Sequence, residues 1–170
     1  TMSEDLETAG HVDLQRYLGT WYEIARKPMR FEAATARDIT ATYEAGDGGT
    51  VRVANSCIDA EGKVEVAEGL ATPVDADNAR LEVTFLPQGL RWIPFARGDY
   101  WILRVDDEYR TALVGEPGRR YLWLLHRAPQ MEPAAKNEWL EFARMRGYDL
   151  DDLIHPSQSG QVHREEETAQ

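Results

Sequence analysis

The feature that most limits what this chain can become is a recurrence of short segments whose apolar residues fall at every second position. A period of two puts successive side chains on opposite faces of an extended backbone, so such a segment reads as a strand. About eight of them can be traced, near 21–27, 38–45, 50–57, 64–71, 80–86, 99–106, 109–115 and 120–127. Turn residues stand between them. Gly46-Asp47-Gly48-Gly49 separates the second and third segments, and Glu116-Pro117-Gly118 separates the last two. Glycine supplies positive φ and proline sets its own φ, which suits tight reversals. The pattern predicts an antiparallel barrel built from hairpins.

Alternation also assigns faces. In the fifth segment Leu81, Val83 and Phe85 share one side, opposite Arg80, Glu82 and Thr84, and the apolar set should line the interior. By the same count Trp101, Leu103 and Val105 oppose Arg104 and point inward. In the last segment Tyr121, Trp123 and Leu125 share the parity of Arg127, while Leu122 and Leu124 make the other face apolar too. A strand apolar on both faces has to be covered on both. Residues 132–146 offer the cover, with Ala135, Trp139, Phe142 and Ala143 at helical spacing, Pro133 in the first turn and Gly147 just past the end. Residues 148–154 are expected to continue across the wall. Beyond His155-Pro156 the chain is polar and includes Glu165-Glu166-Glu167, the composition of a disordered acidic tail.

At 170 residues the chain fits one domain, and no stretch of about 18 apolar residues could span a bilayer as a helix. The formal net charge of -11 opposes attraction to phosphate backbones, so nucleic acid is not an expected partner. Cys57 is the single cysteine, which excludes an intramolecular disulfide. The sequence opens Thr1-Met2-Ser3-Glu4-Asp5. A cytoplasmic location is expected if Met2 is the native start, and a periplasmic or outer-membrane-associated one if a signal segment was removed.

One stretch gathers several of these signals. Leu18-Gly19-Thr20-Trp21-Tyr22-Glu23-Ile24-Ala25-Arg26 combines a turn glycine with an aromatic-rich strand; Asp107-Glu108-Tyr109-Arg110-Thr111-Ala112-Leu113-Val114 follows far downstream, and Tyr121-Leu122-Trp123-Leu124-Leu125-His126-Arg127 closes the series. In this order they resemble the three signatures of the lipocalins. With Phe31-Glu32 and Asp99-Tyr100-Trp101, the chain is most similar to the subfamily of bacterial lipocalins (Blc), apolipoprotein D and plant temperature-induced lipocalins. The resemblance spans about residues 12–155. It implies an all-β fold: an eight-stranded antiparallel up-and-down barrel with one exterior C-terminal α-helix, preceded by an extension over 1–11 and followed by a tail over 156–170. It implies that Arg127 packs across Trp21 beside Gly19 to close one end. Many relatives pair two cysteines, and this chain departs from them.

The resemblance also implies a ligand of the fatty acid or lysophospholipid class, held for storage, transport or membrane maintenance, and leaves a homodimer and peripheral membrane association open. Candidate ligand contacts are Trp123, Tyr121, Trp101, Leu103, Val83 and Phe85, an apolar sleeve with few polar tips; the alternative for each is plain core filling. Ala67, Gly69 and Ala71 share one face and would leave room inside if that face points inward, or else mark close backbone packing. Glu23 shares the parity of Trp21 and joins the candidate ligand contacts as a group that shapes the pocket's polarity; buried, it needs a cation or a tyrosine hydroxyl, or else a raised pKa, and the alternative is a structural hydrogen bond. Catalysis and metal binding lack support: His11, His126, His155 and His163 are scattered, with no His-Glu-x-x-His and no phosphate-binding glycine loop. No cofactor and no enzymatic activity are expected. Two other readings stand beside binding: an enzyme using Glu23, Tyr121 or Cys57 on a lipophilic substrate, and a filled barrel acting as an interaction module. Within binding, a haem, bilin or retinoid pigment is the alternative ligand.

Overall fold

The computed structural model describes residues 6–28, 36–59, 61–85 and 97–162. Eight strands, β1 (Gly19–Arg26), β2 (Arg37–Ala45), β3 (Val51–Ile58), β4 (Val64–Pro73), β5 (Arg80–Phe85), β6 (Arg97–Val105), β7 (Thr111–Gly115) and β8 (Leu122–His126), close into one barrel in sequence order. Every neighbouring pair, including β1 with β8, is antiparallel. The expected up-and-down barrel is therefore present, and each strand falls within a few residues of an alternating segment. Phe31 and Glu32 lie outside the described residues.

Two apolar layers follow from the two faces of the wall. The inner layer holds Trp21, Ile39, Val53, Leu81, Ile102 and Leu125, with Cys57 also fully buried there. The outer layer joins Ile24, Leu103, Leu113, Leu122 and Leu124 to Trp139, Leu140 and Ala143 of an exterior helix, α2 (Pro133–Met145). Burying each large apolar side chain contributes roughly 1.5–3 kcal/mol, which explains why the doubly apolar β7 and β8 lie under this helix. Gly147, at φ +99°, ends α2, with its N–H donating to the Arg144 carbonyl at 3.0 Å.

A one-turn helix absent from the sequence expectations, α1 (Leu14–Tyr17), precedes β1. Asp13 caps it by accepting from the Gln15 N–H at 3.1 Å, and the helix lays Tyr17 into the inner layer.

Irregularities in two strands decide which way side chains point. In β1 the pairing with β8 shifts register between Glu23 and Ala25, so Ile24 and Ala25 both join the outer layer while Arg26 is fully buried. In β6 the pairing with β7 shifts between Ile102 and Arg104. Leu103 and Arg104 both face α2, whereas Tyr100, Ile102 and Val105 belong to the inner layer. The inward assignment of Trp101 and Leu103 is thereby corrected: counting back from Arg104 crosses a bulge, and an inserted residue inverts the parity of everything before it. Trp101 packs against the outer layer with the Arg80 guanidinium 4.6 Å from its ring centroid.

Residues 148–154 are expected to cross the wall and Ile154 does so, but the residues that follow differ from the expected free tail. Ile154 forms an antiparallel bridge with Arg26. Paired residues of β1 and β2 run from Gly19 with Tyr43 to Tyr22 with Thr40. Just beyond them the Gln158 side-chain amide donates to both the Glu23 carbonyl at 2.8 Å and the Ile39 carbonyl at 2.9 Å. The Asp38 carboxylate accepts from the Ser159 N–H at 2.7 Å and the Ser159 hydroxyl at 2.8 Å. Residues 154–160 thus run as a strap along the seam where β1 and β2 part. Residues 163–170, including the acidic run, lie outside the described residues.

Candidate ligand cavity

The closed end of the barrel is organised by one glycine, one indole and one guanidinium. Gly19 adopts φ +112°, a conformation glycine alone visits easily, and starts β1 so that Trp21 is fully buried two residues later. Arg127 lies with its guanidinium 3.8 Å from the Trp21 ring centroid. Its nitrogens donate to the carbonyls of Tyr109 at 3.0 Å, Thr20 at 3.2 Å and Arg16 at 2.9 Å, tying α1, β1 and the β6–β7 turn together. The Trp21 indole N–H donates to the Tyr17 carbonyl at 2.9 Å. This is the Gly19, Trp21 and Arg127 closure that the resemblance implies.

Above it lies a row of phenols. The Tyr100 hydroxyl is 2.7 Å from the Tyr17 hydroxyl and 2.7 Å from the Tyr43 hydroxyl. Burial raises the pKa of all three, and mutual repulsion between the prospective phenolates adds to it for Tyr17 and Tyr100, so all three hydroxyls keep their protons at ordinary pH.

From this floor a cavity of about 60 Å³ extends toward the opposite end of the barrel. Ile39, Val53, Val83, Phe85, Trp123 and Leu125 supply its apolar wall, and Glu23, Thr40, Asn55, Asp99, Tyr43 and Tyr100 its polar points. Ala67 and Ala71 do face inward. The space over Gly69 is taken by Phe85, since a Cβ on Gly69 would stand 3.0 Å from Phe85 Cδ1 and 2.5 Å from the Thr84 carbonyl oxygen. Close packing is thus the reading that holds at Gly69.

Glu23 finds the cation its burial demands. The bulge in β1 turns Arg26 inward, and Arg26 Nε sits 3.0 Å from Glu23 Oε2, with both side chains almost wholly buried. A pair of this kind adds no net charge to the interior.

Of the six proposed sleeve residues, the fold brings Trp123, Val83 and Phe85 to the cavity wall, together with Glu23. Tyr121 does not reach the cavity; its ring stacks on Trp123 with centroids 6.1 Å apart, and its carbonyl accepts from the Tyr148 hydroxyl at 3.0 Å. Trp101 and Leu103 are on the exterior, as described above. The residues that sequence reasoning missed are Tyr43, Tyr100, Asn55 and Arg26. Tyr43 and Asn55 could have been found, since Tyr43 shares the parity of Ile39 and Ala41, and Asn55 pairs opposite Ala41. Tyr100 and Arg26 lie behind bulges that carry no plain signal.

Comparison with known proteins matches residues 12–158 to the lipocalin-like domain. The temperature-induced lipocalin-1 of Arabidopsis thaliana is 40% identical over 162 residues, covering 94% of this chain and 86% of that protein. The outer membrane lipoprotein Blc of Escherichia coli K12 is 38% identical over the same length, with 94% and 87% covered. Among solved structures, insecticyanin from the tobacco hornworm Manduca sexta superimposes with a TM-score of 0.67 at 20% identity, over 91% of this chain and 85% of that one.

Proposed function

The chain belongs to the lipocalin family, a family of binders of small hydrophobic molecules, and from that premise we propose that its barrel takes up a fatty acid or lysophospholipid for storage, transport or membrane maintenance. The observation that carries this reading is the apolar cavity inside a barrel closed at one end by Arg127 over Trp21. Binding without turnover is the expected chemistry. Each buried methylene contributes ~0.8 kcal/mol before ordering costs, so affinity grows with chain length until the space is full. An apolar cavity of about 150 Å³ in another protein accepts benzene. The present cavity is about 60 Å³, so an acyl chain has to extend from the floor past Phe85 and Trp123 toward the mouth.

The test is native mass spectrometry of purified protein, then titration of delipidated protein with palmitate and with a lysophosphatidylcholine. Saturable binding of either supports the reading. Val83→Trp, which places a large ring in the cavity, should weaken that binding about tenfold or more. Failure of both lipids to bind would move weight to the filled-barrel alternative.

A further inference from the structure

The tyrosine row has one proton more than the contacts within it use. Tyr17, Tyr100 and Tyr43 carry three hydroxyl protons, and the two contacts of 2.7 Å between them use two. None of the three makes another hydrogen bond to a described residue through its hydroxyl. The spare proton can sit on any of the three, and in two of the three arrangements it belongs to Tyr43 or Tyr100, which both line the cavity while Tyr17 does not. A buried hydroxyl left without an acceptor loses free energy, so an acceptor entering the cavity gains by pairing with it.

Two further observations define that acceptor. Asn55 is aimed at the same space: it pairs opposite Ala41 and Ala67, both buried in the inner layer, and its amide has no partner among the described residues. Among the described residues no cation at the cavity is left to receive an anion, and Asp99 on the lining adds a negative charge. Glu23 holds Arg26, and the Arg127 nitrogens are committed to three backbone carbonyls. A carboxylate brought to the floor would be buried without a counter-ion, at high cost, whereas an uncharged oxygen can accept from the spare phenol proton and the Asn55 amide.

We propose that the Tyr43 and Tyr100 hydroxyls, with the Asn55 amide, form a subsite for a neutral oxygen acceptor, so that the favoured ligand carries a carbonyl or other uncharged oxygen at the end that enters first. This rests on the reading that the cavity binds an apolar molecule, and deepens it by orienting the ligand. A simple acyl chain going in tail first covers the hydroxyls with a methyl group; one bearing an oxygen near its inner end satisfies them.

The experiment compares nonane with nonan-2-one on the full chain by headspace partitioning, in the unsubstituted protein and in Tyr43→Phe/Tyr100→Phe. The ketone-to-alkane affinity ratio should fall about fivefold to tenfold in the double variant, the effect of one hydrogen bond. Independently of any variant, the infrared stretch of nonan-2-one labelled with carbon-13 at the carbonyl should lie at lower wavenumber when bound than in hexane. If both molecules bind but the stretch matches hexane, the subsite is refuted and the cavity reading stands. An unchanged ratio in a folded double variant refutes it in the same way. If neither molecule binds, the cavity reading falls and the subsite with it.

Discussion

Replacing Gly19 by alanine tests whether the closed end is built as a unit. Two costs are expected. At φ +112° an alanine is strained, and a residue forced into such a sparsely populated region loses about 1–3 kcal/mol. Its Cβ would also stand 2.9 Å from Arg127 Nη1. The tip of an arginine normally swings aside at little cost, but this one is held by three backbone carbonyls and an indole. Moving it forfeits a cation–π contact of roughly 0.5–2 kcal/mol and at least one charged hydrogen bond of roughly 1.5–3 kcal/mol. Gly19→Ala should therefore destabilise the protein by about 3–8 kcal/mol. In an Arg127→Ala background the second cost has already been incurred, so the same substitution should cost only about 1–3 kcal/mol. The assay is urea denaturation of the four proteins of this cycle, followed by tryptophan fluorescence, with m-values compared to confirm that the same surface unfolds. If the two substitutions add to within about 0.5 kcal/mol, Gly19 does not act through Arg127 and the account of the closed end is wrong.

Three more outcomes are expected. Leu103→Ala empties a buried site beneath α2, away from the cavity, and should cost about 2–5 kcal/mol in thermal or urea unfolding while leaving ligand affinity unchanged; a loss of affinity would return Leu103 to the binding wall. Gln158→Ala removes two hydrogen bonds that bridge β1 and β2, and should lower stability by about 1–3 kcal/mol and speed proteolysis near the seam, an effect absent if the strap is loosely held in solution. Burial, with Arg110 nearby, lowers the pKa of His126 below 6.5, and His155 shifts the same way through burial and Lys136. The unfolded chain then takes up protons first as pH falls through about 6.5, so Tm should decline from neutral toward acid pH, and His126→Gln should flatten part of that decline; an unaltered slope would show that His126 is not among the groups responsible.

Much of the barrel could be read from one-dimensional pattern because strand alternation and turn glycines are local properties. The second coat of apolar residues on β8 pointed to the exterior helix for the same reason: Leu122 and Leu124 needed a cover, and Trp139 and Ala143 recurred at the right spacing. What failed was parity carried across a bulge. Arg104 faces outward, as its parity says, yet the same count puts Trp101 and Leu103 inward, and a single extra residue in β6 reverses it. The same effect in β1 hid Arg26, whose place inside is decided by Glu23 and not by anything in its own neighbourhood. The polar floor was hidden for a different reason: Tyr17, Tyr43 and Tyr100 come from three distant parts of the chain, and only closure of the barrel brings their oxygens together. The strap leaves no such signal because residues 156–160 have the composition of a coil; they are held by backbone and amide partners rather than by apolar burial.

That strap bears on how the molecule is made. β1 leaves a ribosome before every other strand of the barrel, yet along one margin it pairs with β8, and along the other its pairing with β2 is extended by Gln158 and Ile154. Until β8 and residues 154–158 have emerged, β1 keeps unpaired backbone on both margins, the condition under which extended segments recruit strands from other chains. Synthesis from the N-terminus therefore yields an open sheet that can roll shut only once β8 and the strap have been made, and a pause just before them would prolong its most aggregation-prone stage.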